Sequence, residues 1–157
     1  MKRFIFCCLL LNLLISTATA QSTIFIVRHA EKADATKDPD LSEAGRARAE
    51  ALAKMLRDTN ITAIYATEFK RTQQTAAPLA QALGIKVTVS PAKATDFALK
   101  VRTVHSNALV VGHGNTIPDL IKELGISDPI TIAENDYDNL FVVVLAEKPR
   151  LIRLHYR

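Results

Sequence analysis

The run Thr23-Ile24-Phe25-Ile26-Val27, which stops abruptly at Arg28-His29-Ala30-Glu31-Lys32, constrains this chain more than any other stretch. Four consecutive large apolar residues have the length and β-branched content of a buried strand. An arginine and a histidine at its exit are costly to leave unpaired at the margin of a core. Taken alone, the pair reads as an arginine matched to a carboxylate and a histidine satisfied within the core. A second stretch repeats the design, however: Asn107-Ala108-Leu109-Val110-Val111 passes through Gly112 to His113-Gly114-Asn115-Thr116. Two buried strands that each end in a histidine point to a shared site.

The 157 residues give a one-domain length with material for a real core. Lys2 and Arg3 precede an apolar run from Phe4 to Ile15 broken only by Asn12, and Ala18-Thr19-Ala20 has the small-x-small pattern of a cleavage site. Residues 1–20 therefore read as a secretory signal peptide ahead of a domain over 21–157. An uncleaved anchor is the lesser alternative, because the apolar run stops about where a cleavable one should. No later stretch approaches the roughly 20 apolar residues of a membrane helix. The expectation is an exported protein, periplasmic or secreted, without stable membrane insertion once the signal is removed. Cys7 and Cys8 both fall in that segment, so the mature chain would hold no disulfide, catalytic thiol or cysteine-bound metal. They lie too early, with too little apolar sequence before them, for a lipid-anchored cysteine. The formal charge of +4 falls to +2 without Lys2 and Arg3. With no Lys/Arg run interleaved with aromatics, nothing points to a nucleic-acid partner.

Beyond the first strand, the polar stretch Glu31 to Asp40 contains Pro39 and reads as a loop. Leu41-Ser42 opens a helix with Ser42 as N-cap, and Ala44, Ala47, Ala51, Met55 and Leu56 recur at helical spacing as its apolar face. Gly45 in the first turn costs about 1 kcal/mol relative to alanine, which a close backbone approach would explain. A second strand covers Ile61 to Thr67, with Thr67 placed to cap a helix that begins Glu68-Phe69-Lys70-Arg71-Thr72-Gln73-Gln74-Thr75. Pro78 should kink or interrupt that helix, and Leu83-Gly84 closes it. Cations in a first helical turn oppose the macrodipole unless an anion is held there; Lys70 reads as solvated, and Arg71 asks for the anion.

A third strand is expected over Ile85 to Val89, followed by a helix from Thr95 to Val104 with Phe97, Val101 and Val104 on its apolar face. The fourth strand, Ala108 to Val111, leads to His113. A helix from Thr116-Ile117-Pro118 then turns Ile117, Leu120, Ile121 and Leu124 inward before Gly125. After the acidic loop Asp128 to Asp138, Leu140 to Leu145 and Leu151 to Tyr156 flank a turn at Glu147-Lys148-Pro149 as an edge hairpin. His105, at a helix end, and His155, in the last strand, read as structural. Alternating strands and helices define the fold class as α/β: a three-layer sandwich with a mostly parallel central sheet, helices on both faces and a C-terminal β-hairpin.

Ligands of an open parallel sheet bind beyond the carboxyl ends of its strands. Arg28-His29, Arg71 and His113-Gly114 follow strands one, two and four, so neighbouring strands would gather two arginines and two histidines. Arginine forks and helix-start amides suit a phosphate, although a carboxylate or sulfate meets the same electrostatics. A neutral imidazole in that company has the means to attack phosphorus.

Arg28-His29-Ala30-Glu31, Leu41-Ser42-Glu43-Ala44-Gly45, Phe69-Lys70-Arg71-Thr72-Gln73-Gln74-Thr75-Ala76 and Val111-Gly112-His113-Gly114-Asn115-Thr116 resemble, in order, the motifs of the histidine phosphatase superfamily. This group includes the phosphoglycerate mutases and the small phosphohistidine phosphatases, and the chain is similar to the compact phosphohistidine-phosphatase type. The resemblance implies that His29 is a nucleophile that becomes phosphohistidine, with Arg28, Arg71 and His113 completing the phosphate pocket. It further implies that Gly114 offers a backbone N–H to a phosphate oxygen and that no metal or other cofactor takes part. Ala30 departs from the usual glycine, a small change if its backbone angles are ordinary. Gly-Asn-Thr after the second histidine removes one common place for a proton-donating carboxylate; Asp96, Glu134 and Glu31 are the candidates for general acid. For each, a solvated or capping carboxylate is the competing reading.

The expected function is metal-independent hydrolysis of phosphomonoesters or related phosphoryl groups through His29, with a small phosphorylated substrate or inorganic phosphate as partner. Export would separate the protein from glycolytic substrates, which favours a phosphatase over a mutase. The alternative is a non-catalytic anion-binding regulatory module with the same pocket. Short loops around the site predict an open pocket, and neither the physiological substrate nor the oligomeric state is written in the sequence.

Overall fold

The computed structural model of the chain describes residues 21–157. The signal-peptide reading of residues 1–20, with Cys7 and Cys8, lies outside the described residues. Ten elements run in order: β1 (Ser22–Arg28), α1 (Glu43–Leu56), β2 (Ile61–Thr67), α2 (Lys70–Leu83), β3 (Val87–Ser90), α3 (Ala94–Thr103), β4 (Asn107–Gly112), α4 (Ile117–Glu123), β5 (Asn139–Leu145) and β6 (Arg150–His155). The six strands form one sheet in the order β3-β2-β4-β1-β5-β6. Its first four are parallel, and β5 and β6 continue it as an antiparallel hairpin. Helices cover both faces. Leu52, Leu56, Ala76 and Leu79 from α1 and α2 meet Phe25, Val27, Leu109 and Val111 on one side. On the other, Phe97, Val101, Ile117, Leu120 and Ile121 from α3 and α4 meet Ile24, Ile26, Ala108 and Val110.

The central strands are buried on both faces, which is why they read as unbroken apolar runs. Burying each such side chain stabilises by about 1.5–3 kcal/mol, so the middle of the sheet is its most secure part. Strand register sets the site: β1 pairs with β4 from Ile24↔Ala108 to Arg28↔Gly112, so the two histidine-bearing exits lie side by side.

Helix α1 starts as expected, with Ser42 Oγ accepting a hydrogen bond from Gly45 N at 3.0 Å. Its inward face differs from the expected one. Gly45, Ala49, Leu52, Ala53 and Leu56 are buried, whereas Ala44 and Ala47 are exposed, Ala51 is half-buried and Met55 is 45% exposed. Alanines on both sides made two stripes look equivalent; Leu52 transfers far more apolar area than Ala51 and decides between them. The rotation is locked at Gly45, where a Cβ would sit 2.3 Å from the Glu31 carbonyl oxygen. The close backbone approach is therefore real, and it fastens α1 to the exit of β1.

Helix α2 runs through Pro78 without interruption. The missing N–H and ring clash cost about 3 kcal/mol or more, and burial of Ala76, Leu79 and Ala80 around the proline offsets them. The helix starts at Lys70, two residues later than Glu68, and its N-cap is Phe69 with no capping side chain. Thr67 is not the cap; its hydroxyl is committed elsewhere. Gly84 ends the helix in the left-handed region at φ 65°. β3 is shifted to Val87–Ser90, with Ile85 and Lys86 left as connector. Val104 lies just beyond α3, and His105 sits exposed in the bend after it. His155 Nδ1 lies 3.1 Å from Asp138 Oδ1, a structural contact on the hairpin. Among the described residues no helix is long and apolar enough to cross a membrane.

Candidate active site

Strand order places β4 between β2 and β1, so the three chain segments singled out by their cations do converge. They open onto a cleft of about 540 Å³. Arg28, His29, Arg71, His113 and Gly114 all line it, with Phe69 and Ile132 as apolar wall and Glu134 at its lip. Of the side chains expected at a phosphate site, every one except two of the three carboxylates is present.

His29 is 4% exposed and held at both ends: its backbone N–H donates to Gly112 O at 2.9 Å, and its Nδ1 lies 2.8 Å from Ala30 O. A neutral ring in this position carries its proton on Nδ1 and donates it to that carbonyl, which leaves the Nε2 lone pair free. Burial lowers its pKa to about 3, against the Ala30 hydrogen bond and with smaller contributions from His113, Arg28 and Arg71. His113 is 8% exposed, and burial followed by Arg71 lowers its pKa to about 4. Both imidazoles are neutral at pH 7, the state a nitrogen nucleophile requires.

Thr67 and Thr72 fix His113. Thr72 Oγ1 lies 2.7 Å from Phe69 O and 2.8 Å from Thr67 Oγ1, and Thr67 Oγ1 lies 3.0 Å from His113 Nε2. If Thr72 gives its proton to Phe69 O, Thr67 donates to Thr72 and accepts from His113 Nε2–H. The ring is then set by two fully buried hydroxyls. A third threonine, Thr75, accepts from Ala30 N at 2.9 Å and donates to Arg71 O at 2.7 Å, tying the β1 exit to the start of α2. Ala30 has no positive φ, so its methyl group costs nothing where a glycine was the expectation.

The two arginines are tethered through Nη1. Arg28 Nη1 donates to Ala133 O at 3.0 Å and to Glu134 O, while its Cζ lies 4.4 Å from the centroid of the Tyr137 ring. Arg71 Nη1 donates to Lys37 O at 3.5 Å and lies 3.8 Å from Asp38 Oδ1, with Cζ 4.4 Å from the Phe69 ring centroid. The Nε atoms of both are buried without a hydrogen-bond partner. A buried charged donor without an acceptor is expensive, and here there are two at the wall of one cleft. Asp38 also accepts from Lys70 N at 2.9 Å, so an anion does stand at the start of α2, and the protein supplies it. The Lys70 side chain is exposed, as expected.

The candidate acids separate cleanly. Glu31 is turned away from the cleft and receives Arg48 Nε and Nη2 at 2.7–2.9 Å. Burial raises its pKa, but the Arg48 hydrogen bonds prevail and hold it below the usual range, the wrong direction for a proton donor. Asp96 occupies the first turn of α3, where a carboxylate suits the dipole, and does not line the cleft. Glu134 lines it, although its side chain is exposed and its carbonyl holds Arg28.

Thr67, Thr72, Thr75 and Tyr137 are the positioning contacts that sequence reading missed. Nothing in their spacing marks the threonines as buried, and Tyr137 lies in a loop without periodicity. Among the described residues no group of three or more His, Cys, Asp or Glu is placed to hold a metal ion.

Fold and cleft together define an α/β protein that gathers paired arginines and neutral histidines at its strand ends. The model of the histidine phosphatase superfamily (branch 1) matches residues 24–93, the segment carrying the first three motifs. The match ends before the fourth motif at His113, so the chain is similar to this superfamily over its first three motifs, and the solved structures that follow share its fold. A candidate phosphohistidine phosphatase SixA from Agrobacterium tumefaciens is 21% identical, with a TM-score of 0.64 over 84% of this chain and 97% of that one. The mycobacterial glucosyl-3-phosphoglycerate phosphatase is 14% identical, with a TM-score of 0.68 over 87% of this chain and 100% of that one. The protein histidine phosphatase SixA complexed with tungstate is 20% identical, with a TM-score of 0.67 over 85% and 96%. No curated protein matches the chain by sequence.

Proposed function

We propose that this chain is a phosphatase that hydrolyses phosphomonoesters or related phosphoryl groups, without a metal, through a phosphohistidine at His29. The observation that carries the reading is the pair of buried, unpartnered Arg28 and Arg71 Nε atoms beside two neutral buried histidines. Each arginine is held by Nη1, so the Nε–Nη2 edge is the one left to grip an oxyanion in bidentate fashion. His29 Nε2 attacks phosphorus, the P–O bond to the leaving group breaks, and the two arginines stabilise the charge on the transferring oxygens. Water then attacks the phosphohistidine, releasing inorganic phosphate and free His29. Glu134 is the proton donor in this scheme, as the one candidate acid that lines the cleft.

Support comes from relatives named as phosphatases and from the solved neighbour that holds tungstate, a tetrahedral oxyanion. The first 20 residues support an exported enzyme; N-terminal sequencing of secreted or periplasmic protein should begin at Gln21. A second reading, an anion-binding module without turnover, draws on the exposure of Glu134.

Turnover of an activated aryl phosphate in EDTA decides between them. The parent protein should turn over, and His29→Ala should lose at least about 10³-fold in kcat while still binding phosphate. Equal rates for the two proteins would sink the nucleophile assignment, and phosphate binding without turnover would favour the module.

A further inference from the structure

The two halves of the cleft share a feature that the phosphate chemistry does not use. Tyr137 lies against both members of the first pair, 4.4 Å from Arg28 Cζ and 6.0 Å from the His29 ring at an interplanar angle of 54°. Phe69 does the same for the second pair, 4.4 Å from Arg71 Cζ and 5.2 Å from the His113 ring, edge-on at 88°. Each ring comes from a different place. Phe69 is the N-cap residue of α2, whereas Tyr137 follows a turn closed by Asp136, whose backbone N–H donates to Ala133 O and whose carboxylate accepts from Ala133 N, both at 3.0 Å.

We propose that Phe69 and Tyr137 are a matched pair of positioning residues, each holding one arginine and one histidine of the phosphate site in register. The proposal rests on the phosphate reading of that cleft. An arginine side chain is long and loses much rotamer freedom when it is fixed, so a ligand pays for ordering it unless the protein has already done so. A carboxylate would hold it but would also neutralise its charge and compete with the incoming anion. An aromatic face attracts the guanidinium through its quadrupole and has no negative charge to give. The same rings pack against the imidazoles, so one side chain orients nucleophile and clamp together. Tyr137 does not line the cleft, and its effect therefore has to pass through Arg28 and His29.

Calorimetric titration of the purified protein with inorganic phosphate tests this, with melting curves beside it to confirm folding. Tyr137→Leu and Phe69→Leu should each weaken phosphate binding about tenfold. Tyr137→Phe and Phe69→Tyr, which keep the ring, should bind within about twofold of the parent. In an Arg28→Lys background, Tyr137→Leu should add less than about twofold, whereas in an Arg71→Lys background it should keep its full effect; Phe69→Leu should show the reverse. Unchanged binding in both leucine variants, alongside weakened binding in the arginine variants, would overturn the role of the rings and leave the site intact. A tenfold loss that persists undiminished on Arg28→Lys would likewise overturn it, because the ring would then act by general packing. Failure of the parent to bind phosphate would overturn the reading of the cleft itself.

Discussion

The two walls of the cleft carry the same chemistry and are anchored by different means. The β1 wall, Arg28 and His29, is held by backbone carbonyls of Ala30, Ala133 and Glu134. The opposite wall, Arg71 and His113, adds side chains to one carbonyl: Lys37 O and the Asp38 carboxylate hold Arg71, and the Thr67 hydroxyl holds His113. Carbonyl dipoles orient Arg28 without cancelling its charge, whereas Asp38 offsets part of that on Arg71. Under the proposed function, this asymmetry makes Arg28 the stronger of the two anion ligands and places the covalent step at the histidine beside it.

The largest expected effect breaks the comparison outright. Arg28→Ala should lower kcat/KM toward an aryl phosphate by about 10²–10³-fold, and Arg71→Ala by less, because Asp38 already screens that charge. Steady-state kinetics in low salt check this, and equal losses would show that Asp38 is irrelevant to the difference.

Acid should treat the walls alike. Both histidines have folded pKa values below the ordinary 6.5, so the unfolded chain binds protons that the folded chain refuses. Stability is therefore full above about pH 6.5 and is lost as pH falls toward the folded values of about 4 and 3. Between pH 7 and 5 the loss should be about 2 kcal/mol for each histidine, as measured by urea unfolding. Bound phosphate should reduce it, since an anion favours the protonated ring. A flat stability curve over this range would contradict two buried neutral imidazoles.

A smaller effect belongs to the second wall alone. Thr67→Val leaves His113 Nε2 and Thr72 without their shared hydroxyl and should cost about 1–3 kcal/mol of stability, with a fall in Tm. The smallest sharpens the asymmetry. Asp38→Asn should tighten phosphate binding by up to about fivefold, within the range of a half-exposed ion pair, while weakening the N-terminal turn of α2. Tighter binding at unchanged kcat would place Asp38 as a brake on ground-state affinity.

Several elements were legible because their signals are local. Apolar runs marked the buried strands, Ser42 and Gly84 marked helix ends, and the Ile117-Leu120-Ile121-Leu124 spacing marked the inward face of α4. The face of α1 was not legible, since its alanines fit two stripes and the choice between them rests on Gly45 meeting Glu31 across the chain. Glu31 was misread as a possible acid for a similar reason: its partner Arg48 lies on α1, and only the docking of that helix turns the carboxylate away.

The sequence by itself singled out Arg28, His29, Arg71 and His113, at or beyond the ends of strands legible as apolar runs. Only the tertiary structure decided how those four are held. The threonine chain behind His113, the carbonyls beneath Arg28 and the rings of Phe69 and Tyr137 are contacts between distant segments. Their geometry comes from strand order and register, which no periodicity along the chain encodes.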